Sequence, residues 1–125
     1  MIRLTNAHRR ARSLPVLRED ALLAALARGH SQAMAREGGS IGHDGLRGRF
    51  ERAAASLPLA EFAENVARMK HERTPPASWV VSRWIQSDDH RVHLERGAFD
   101  RVGVGVVRSP RGDLYFTQIF AAVRR

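Results

Sequence analysis

The sequence predicts an α+β domain in which helices pack on a small, mainly antiparallel sheet. Two patterns and their order carry this reading. Between Asp20 and Glu37 the residues Leu22, Leu23, Leu26, Ala27, His30, Ala33 and Met34 recur at spacings of three and four, which makes one inward-facing helical stripe. In the last third, Val102, Val104 and Val106 alternate with glycine, and Val107 continues the β-branched bias. The turn-forming Ser109-Pro110-Arg111-Gly112-Asp113 follows, then the apolar, aromatic-rich run Leu114 to Val123, which together read as a hairpin. Helices first and a closing hairpin fit the α+β arrangement.

Taken in order, a first helix is expected over Leu4 to Arg12, broken before Leu14-Pro15 because a residue preceding proline resists the α region. Asp20 is placed to cap the long helix, and Gly38-Gly39 to end it. Gly42, Gly45 and Gly48 mark a loop, with a short helix after it around Phe50 to Ser56. Glu61 to Arg68 is compatible with either helix or strand. A further helix is expected from Pro76 to Gln86, with proline in its first turn and Trp79, Val80, Arg83 and Trp84 at helical spacing.

Composition bounds the chemistry. A chain of 125 residues suits one domain over 1–125, large enough to fold without staples. The absence of cysteine excludes disulfides and thiolate catalysis, so any metal site must use His, Asp or Glu. The net charge of +8 comes almost wholly from arginine and would attract anionic partners such as nucleic acid, acidic lipid or wall polymers. The arginines are scattered rather than clustered, which argues against specific nucleic-acid recognition. No apolar run approaches the ~20 residues that span a bilayer. The start, Met1 to Asn6, lacks the apolar stretch of a secretory signal, so either the protein stays inside the cell or a leader has been removed.

Several segments, read in order, resemble the bacterial branch of the CAP superfamily, which takes in the cysteine-rich secretory proteins, antigen 5 and the plant pathogenesis-related proteins. Leu4-Thr5-Asn6-Ala7-His8-Arg9 with Leu14-Pro15-Val16-Leu17 is similar to the family's opening, and the helix carrying Leu23, Ala27, His30 and Met34 to its first long helix. Gly42-His43-Asp44-Gly45 resembles its histidine loop, with Phe50-Glu51-Arg52 after it. Ala63-Glu64-Asn65-Val66-Ala67 looks like its Gly-Glu-Asn strand, and Trp84-Ile85-Gln86-Ser87-Asp88-Asp89-His90-Arg91 like its Trp…Ser…His-Arg segment. Phe99, Gly103 to Val106 and Tyr115 to Phe120 match its closing hairpin.

The resemblance implies a three-layer α-β-α sandwich with a cleft on one side. In the family that cleft gathers two histidines and two acids, and some members bind zinc or another divalent cation there. Carried over by motif, the histidines are His43 and His90, also the candidate metal ligands, and the first acid is Glu64, also the candidate base. The second acid's position holds Ser87. Asn65 and Gln118 complete the candidate cleft. Ala63 and Asp89 stand where the family has glycine. The bare alternative for His43, Glu64 and His90 is a hydrogen-bonded cluster pinning loop, strand and helix together.

Outside the cleft, His30 reads as a core histidine with a satisfied partner, and His8, His71 and His93 as surface residues. Trp84 reads as core, Trp79 as packing or lining a groove, and Tyr115 and Phe116 as facing opposite sides of a strand. Three functions compete. The first is a binding module for a lipid, a peptide or a wall fragment, extracellular or in the cell envelope by family resemblance. The second is a metal-assisted hydrolase of peptide or wall amide bonds with Glu64 as base. The third is a basic surface that docks on anionic polymers.

Overall fold

Asp20 opens the longest helix by accepting the N–H of Leu23 at 3.0 Å, and Gly38 closes it in the left-handed conformation at φ 69°. This is α2 (Ala21–Glu37). The computed structural model describes residues 1–38, 41–70 and 76–124; Gly39 and His71 lie outside them. Before α2 come α1 (Ile2–Ala11) and the two-residue β1 (Arg18–Glu19); after it come α3 (Leu46–Ala54), β2 (Leu59–Met69), α4 (Pro76–Ile85), α5 (Asp88–Leu94), β3 (Arg101–Arg108) and β4 (Leu114–Val123).

The hairpin, α1, α2 and α4 stand close to where the sequence puts them, and the rest departs in physically intelligible ways. The helix expected from Phe50 begins at Leu46, because Gly45 at φ 80° turns the chain directly into it and leaves Gly48 inside. The ambiguous stretch around Glu61 to Arg68 is a strand, β2, paired with β4 from Leu59↔Val123 to Met69↔Leu114. Two elements have no counterpart in the sequence reading, β1 and α5. Each is short, and β1 exists only because it pairs with β3.

The sheet runs β1-β3-β4-β2, antiparallel except for the parallel β1–β3 pair. Helices cover both faces, giving the α-β-α sandwich. On one face Leu23 and Ala27 of α2 and Ala53 of α3 pack on Ile119 and Ala121. On the other, Val80 and Trp84 of α4 and Leu94 of α5 pack on Val102, Phe116 and Phe120. Tyr115 and Phe116 are both buried, Tyr115 beside Met34 and Ala35 of α2 and Phe116 in the opposite layer.

The alternating glycines of β3 have a steric reason. A Cβ on Gly103 would stand 2.2 Å from the Ala24 nitrogen, and one on Gly105 would stand 2.3 Å from the Arg28 nitrogen. Helix α2 therefore lies directly against bare backbone, closer than any side chain permits.

The opening motif also acquires an account. Arg9 is fully buried and donates to four carbonyls: Pro15 at 2.7 Å, Leu94 at 3.0 Å, Arg96 at 2.9 Å and Phe99 at 3.2 Å. Asn6 bonds the Leu17 backbone twice, accepting its N–H at 2.8 Å and donating to its carbonyl at 3.1 Å. Together they fasten α1 to the chain that feeds β1 and β3.

Candidate functional site

Strand alternation sorts the candidate residues before any contact is considered. Glu64 and Asn65 are neighbours on β2, so their side chains leave opposite faces of the sheet. Because β2 is an outer strand, loops from both helical layers can meet around its free edge.

On the α2–α3 face, Glu64 is buried and fully engaged. Arg49 of α3 reaches both carboxylate oxygens, Nε to Oε1 at 2.8 Å and Nη2 to Oε2 at 2.6 Å. His43 donates from Nδ1 to Oε2 at 2.8 Å. A carboxylate only accepts, so that contact fixes the proton on Nδ1 and leaves the neutral ring's lone pair on Nε2. His30 stands 3.8 Å from the same oxygen, while its Nε2 bonds the Gly42 carbonyl at 2.7 Å. Arg49 also holds the loop, donating to the Asp44 carbonyl at 2.8 Å. Beside the loop, a cavity of about 440 Å³ is lined by His30, Glu37, Asp44 and the glycines that flank His43.

On the α4–α5 face, His90 bonds Ser87 Oγ through Nδ1 at 2.8 Å and lies nearly parallel to the Trp84 ring, centroids 6.3 Å apart. Asn65 donates to the His90 carbonyl at 3.1 Å, and Trp84 Nε1 donates to the Val66 carbonyl at 3.2 Å, so α4 and α5 are both tied to β2. Gln118, the cross-strand partner of Asn65, is buried and donates to Thr5 Oγ1 of α1 at 3.1 Å. Asn65 Oδ1 and Gln118 Oε1 have no hydrogen-bond partner among the described residues.

The two histidine groups sense each other. Burial, foremost, holds His90 below the ordinary imidazole range; Asp89 opposes this, and the charge His43 would carry adds to it. His93, one turn along α5, is lowered by burial first and then by His90 and His43, again against Asp89. Burial is thus the chief cause at both α5 histidines, with charge on neighbouring imidazoles a lesser one.

The family model for the cysteine-rich secretory proteins matches residues 2–120. The chain belongs to the CAP family. No curated protein matches it. Among solved structures, this CAP chain is similar to a cysteine-rich secretory protein from Staphylococcus aureus (25% identity, TM-score 0.75, covering 97% of this chain and 36% of that one). It is also similar to an extracellular protein containing an SCP domain from Bacillus anthracis (28% identity, TM-score 0.76, 98% and 38%). An outer surface protein of Borrelia burgdorferi shares the fold (18% identity, TM-score 0.83, 98% and 90%). The chain spans little more than a third of the Staphylococcus and Bacillus proteins.

Of the residues singled out by motif, His43 and Glu64 meet directly, and His90 and Ser87 meet directly. Asn65 and Gln118 are fully buried between sheet and helices. The residues missed are Arg49, which locks Glu64, and His93, which lies one turn from His90 on α5. His93 carried a signal, since it follows His90 by three positions and shares its helical face. Contrary to a surface placement, His93 is half-buried against Phe120, and His8 is half-buried on Glu95 at 2.7 Å. Trp79, left open by sequence, packs against the main core with Arg83 over its ring at 5.6 Å.

The donor set does not fit a zinc centre. Among the described residues no group of three or more His, Asp or Glu side chains is arranged to hold a metal ion. With both oxygens of Glu64 on Arg49, the motif residues leave only the imidazole nitrogens of His43 and His90, short of the three protein ligands of an open zinc site. Among the described residues, no helix is long and apolar enough to cross a membrane.

Proposed function

We propose that this CAP chain is a non-enzymatic binding module whose recognition surface is the histidine cluster at the β2 edge. The observation that carries this reading is the double engagement of Glu64 by Arg49. Buried, paired with a guanidinium through both oxygens and accepting from His43 besides, this carboxylate has the part of holding His43 in one tautomer and one orientation. His90 is oriented by Ser87, whose hydroxyl both donates and accepts and so sets the ring's direction but not its tautomer. Each imidazole is fixed through Nδ1 and keeps Nε2 for a ligand.

Imidazole nitrogens exchange hydrogen bonds with a polar ligand, which suits one rich in hydroxyl and amide groups, a wall fragment or a peptide, over a plain acyl chain. A divalent cation would find two imidazole nitrogens and would need the ligand or water for the rest of its shell. The extracellular description of the Bacillus anthracis protein supports a place outside the cell or in its envelope for this chain as well.

The test is a nuclear magnetic resonance titration of the histidine Nε2 signals with a soluble disaccharide-peptide wall fragment, and separately with zinc chloride. The reading expects the wall fragment to shift His43 and His90 together, and expects His43→Ala/His90→Ala to lose binding while keeping its fold. Binding unchanged in the double variant sinks it. Micromolar zinc affinity with turnover of a peptide bond would favour the hydrolase instead.

A further inference from the structure

Among the described residues, the outer edge of the sheet at β3 has no strand beside it beyond Val102, since β1 pairs only with Arg101 and Val102. The Asp20 N–H bonds the Val102 carbonyl at 2.9 Å, so Val102 turns its carbonyl outward. By alternation the N–H and C=O of Val104 and Val106 point the same way. Neither N–H has a partner among the described residues, and the Val106 carbonyl takes a long 3.4 Å contact from Arg28.

This edge borders an open apolar groove of about 630 Å³ between β3, β4 and the starts of α1 and α4, walled by Val104, Val106, Leu114, Phe116 and Ile2. The groove's described lining includes Arg3 and Arg108 and no acid. On the opposite face Arg28, Gln32 and Arg36 follow one another at four-residue intervals along α2, all exposed, and the hollow lined by Gln32, Arg36 and Arg108 also holds no acid. An extended backbone laid here would find unpaired ladder groups, apolar seats on one side and positive charge on both.

We propose that the β3 edge takes up an extended acidic peptide as an added strand. Its alternate apolar side chains sit in the groove beside Val104 and Val106, and its acidic ones face Arg28 and Arg36. The site lies at the far side of the sheet from the histidine cluster and does not depend on it. Charge placed merely to keep an edge soluble would need no apolar groove beside it.

The experiment is fluorescence anisotropy of a fluorescein-labelled hexapeptide of alternating glutamate and valine, titrated with the full chain. Saturable binding in the micromolar range is expected, weakening with salt and unchanged in His43→Ala/His90→Ala. N-methylating one alternate set of peptide amides should weaken binding about tenfold or more, and N-methylating the other set should leave it unchanged, because only one set faces β3. Val106→Pro removes an outward N–H without breaking the β3–β4 ladder and should weaken binding similarly; Arg28→Glu/Arg36→Glu should also weaken it. The absence of saturation up to about 1 mM, or equal binding by both N-methylated peptides, overturns the proposal. So does binding of palmitate in the groove with none of the peptide.

Discussion

Arg49 and Glu64 form a two-pronged ion pair, 2.8 Å and 2.6 Å, in which both side chains are almost wholly removed from solvent. Deleting one charge strands the other in a medium that solvates it poorly. Arg49→Met should cost about 3 kcal/mol or more in urea-induced unfolding. The double variant Arg49→Met/Glu64→Gln should recover part of that loss, since no bare charge remains. A double variant as unstable as the sum of the two singles would show that the pair is not coupled in this way.

The chain should lose stability on mild acidification. His90 and His93 sit below the ordinary imidazole value in the folded state, chiefly through burial. The unfolded chain therefore takes up protons first, near its value of about 6.5. The stability these residues contribute is full above that pH and is lost as pH falls through their lower folded values. Denaturant midpoints should fall between about pH 7.5 and pH 5.5, and His90→Gln/His93→Gln should flatten the slope.

Gly103 and Gly29 make a matched pair of tests. Gly103→Ala drives a methyl into the backbone of α2 and should cost about 3 kcal/mol. Gly29→Ala, inside α2 with nothing within 4 Å of its Cβ, should stabilise by about 0.5–1 kcal/mol. Thermal melts of both variants against the parent chain check the contrast.

Arg9→Met removes the donors of four carbonyl bonds at once and should cost about 4 kcal/mol, with Arg9→Lys only partly restoring it because an ammonium lacks the planar fork. Urea midpoints of the two variants decide it. A loss within about 0.5 kcal/mol for Arg9→Met would leave the fastening role without support.

What the sequence disclosed follows from how far each signal reaches along the chain. The α2 stripe, the Asp20 cap and the hairpin are written in neighbouring residues and were legible. Helix α5, a few residues long with a single buried apolar position, is too short for periodicity to register. The bond between His43 and Glu64 spans 21 positions and was foreseeable only through the family motif. Arg49 was hidden because an arginine in a helix beside other arginines carries no mark of burial until its acid partner is located. His93 could have been found, since the spacing from His90 is helical once α5 is known.

The sheet order carries a consequence for assembly on the ribosome. β4, which follows β2 and β3 in the chain, is among the described residues the only strand that touches both. Until it emerges, β2 has no neighbour to zip against, and Thr5 waits 113 positions for Gln118. Closure of the sheet therefore waits for β4, and removal of β4 would leave helices with no platform to rest on.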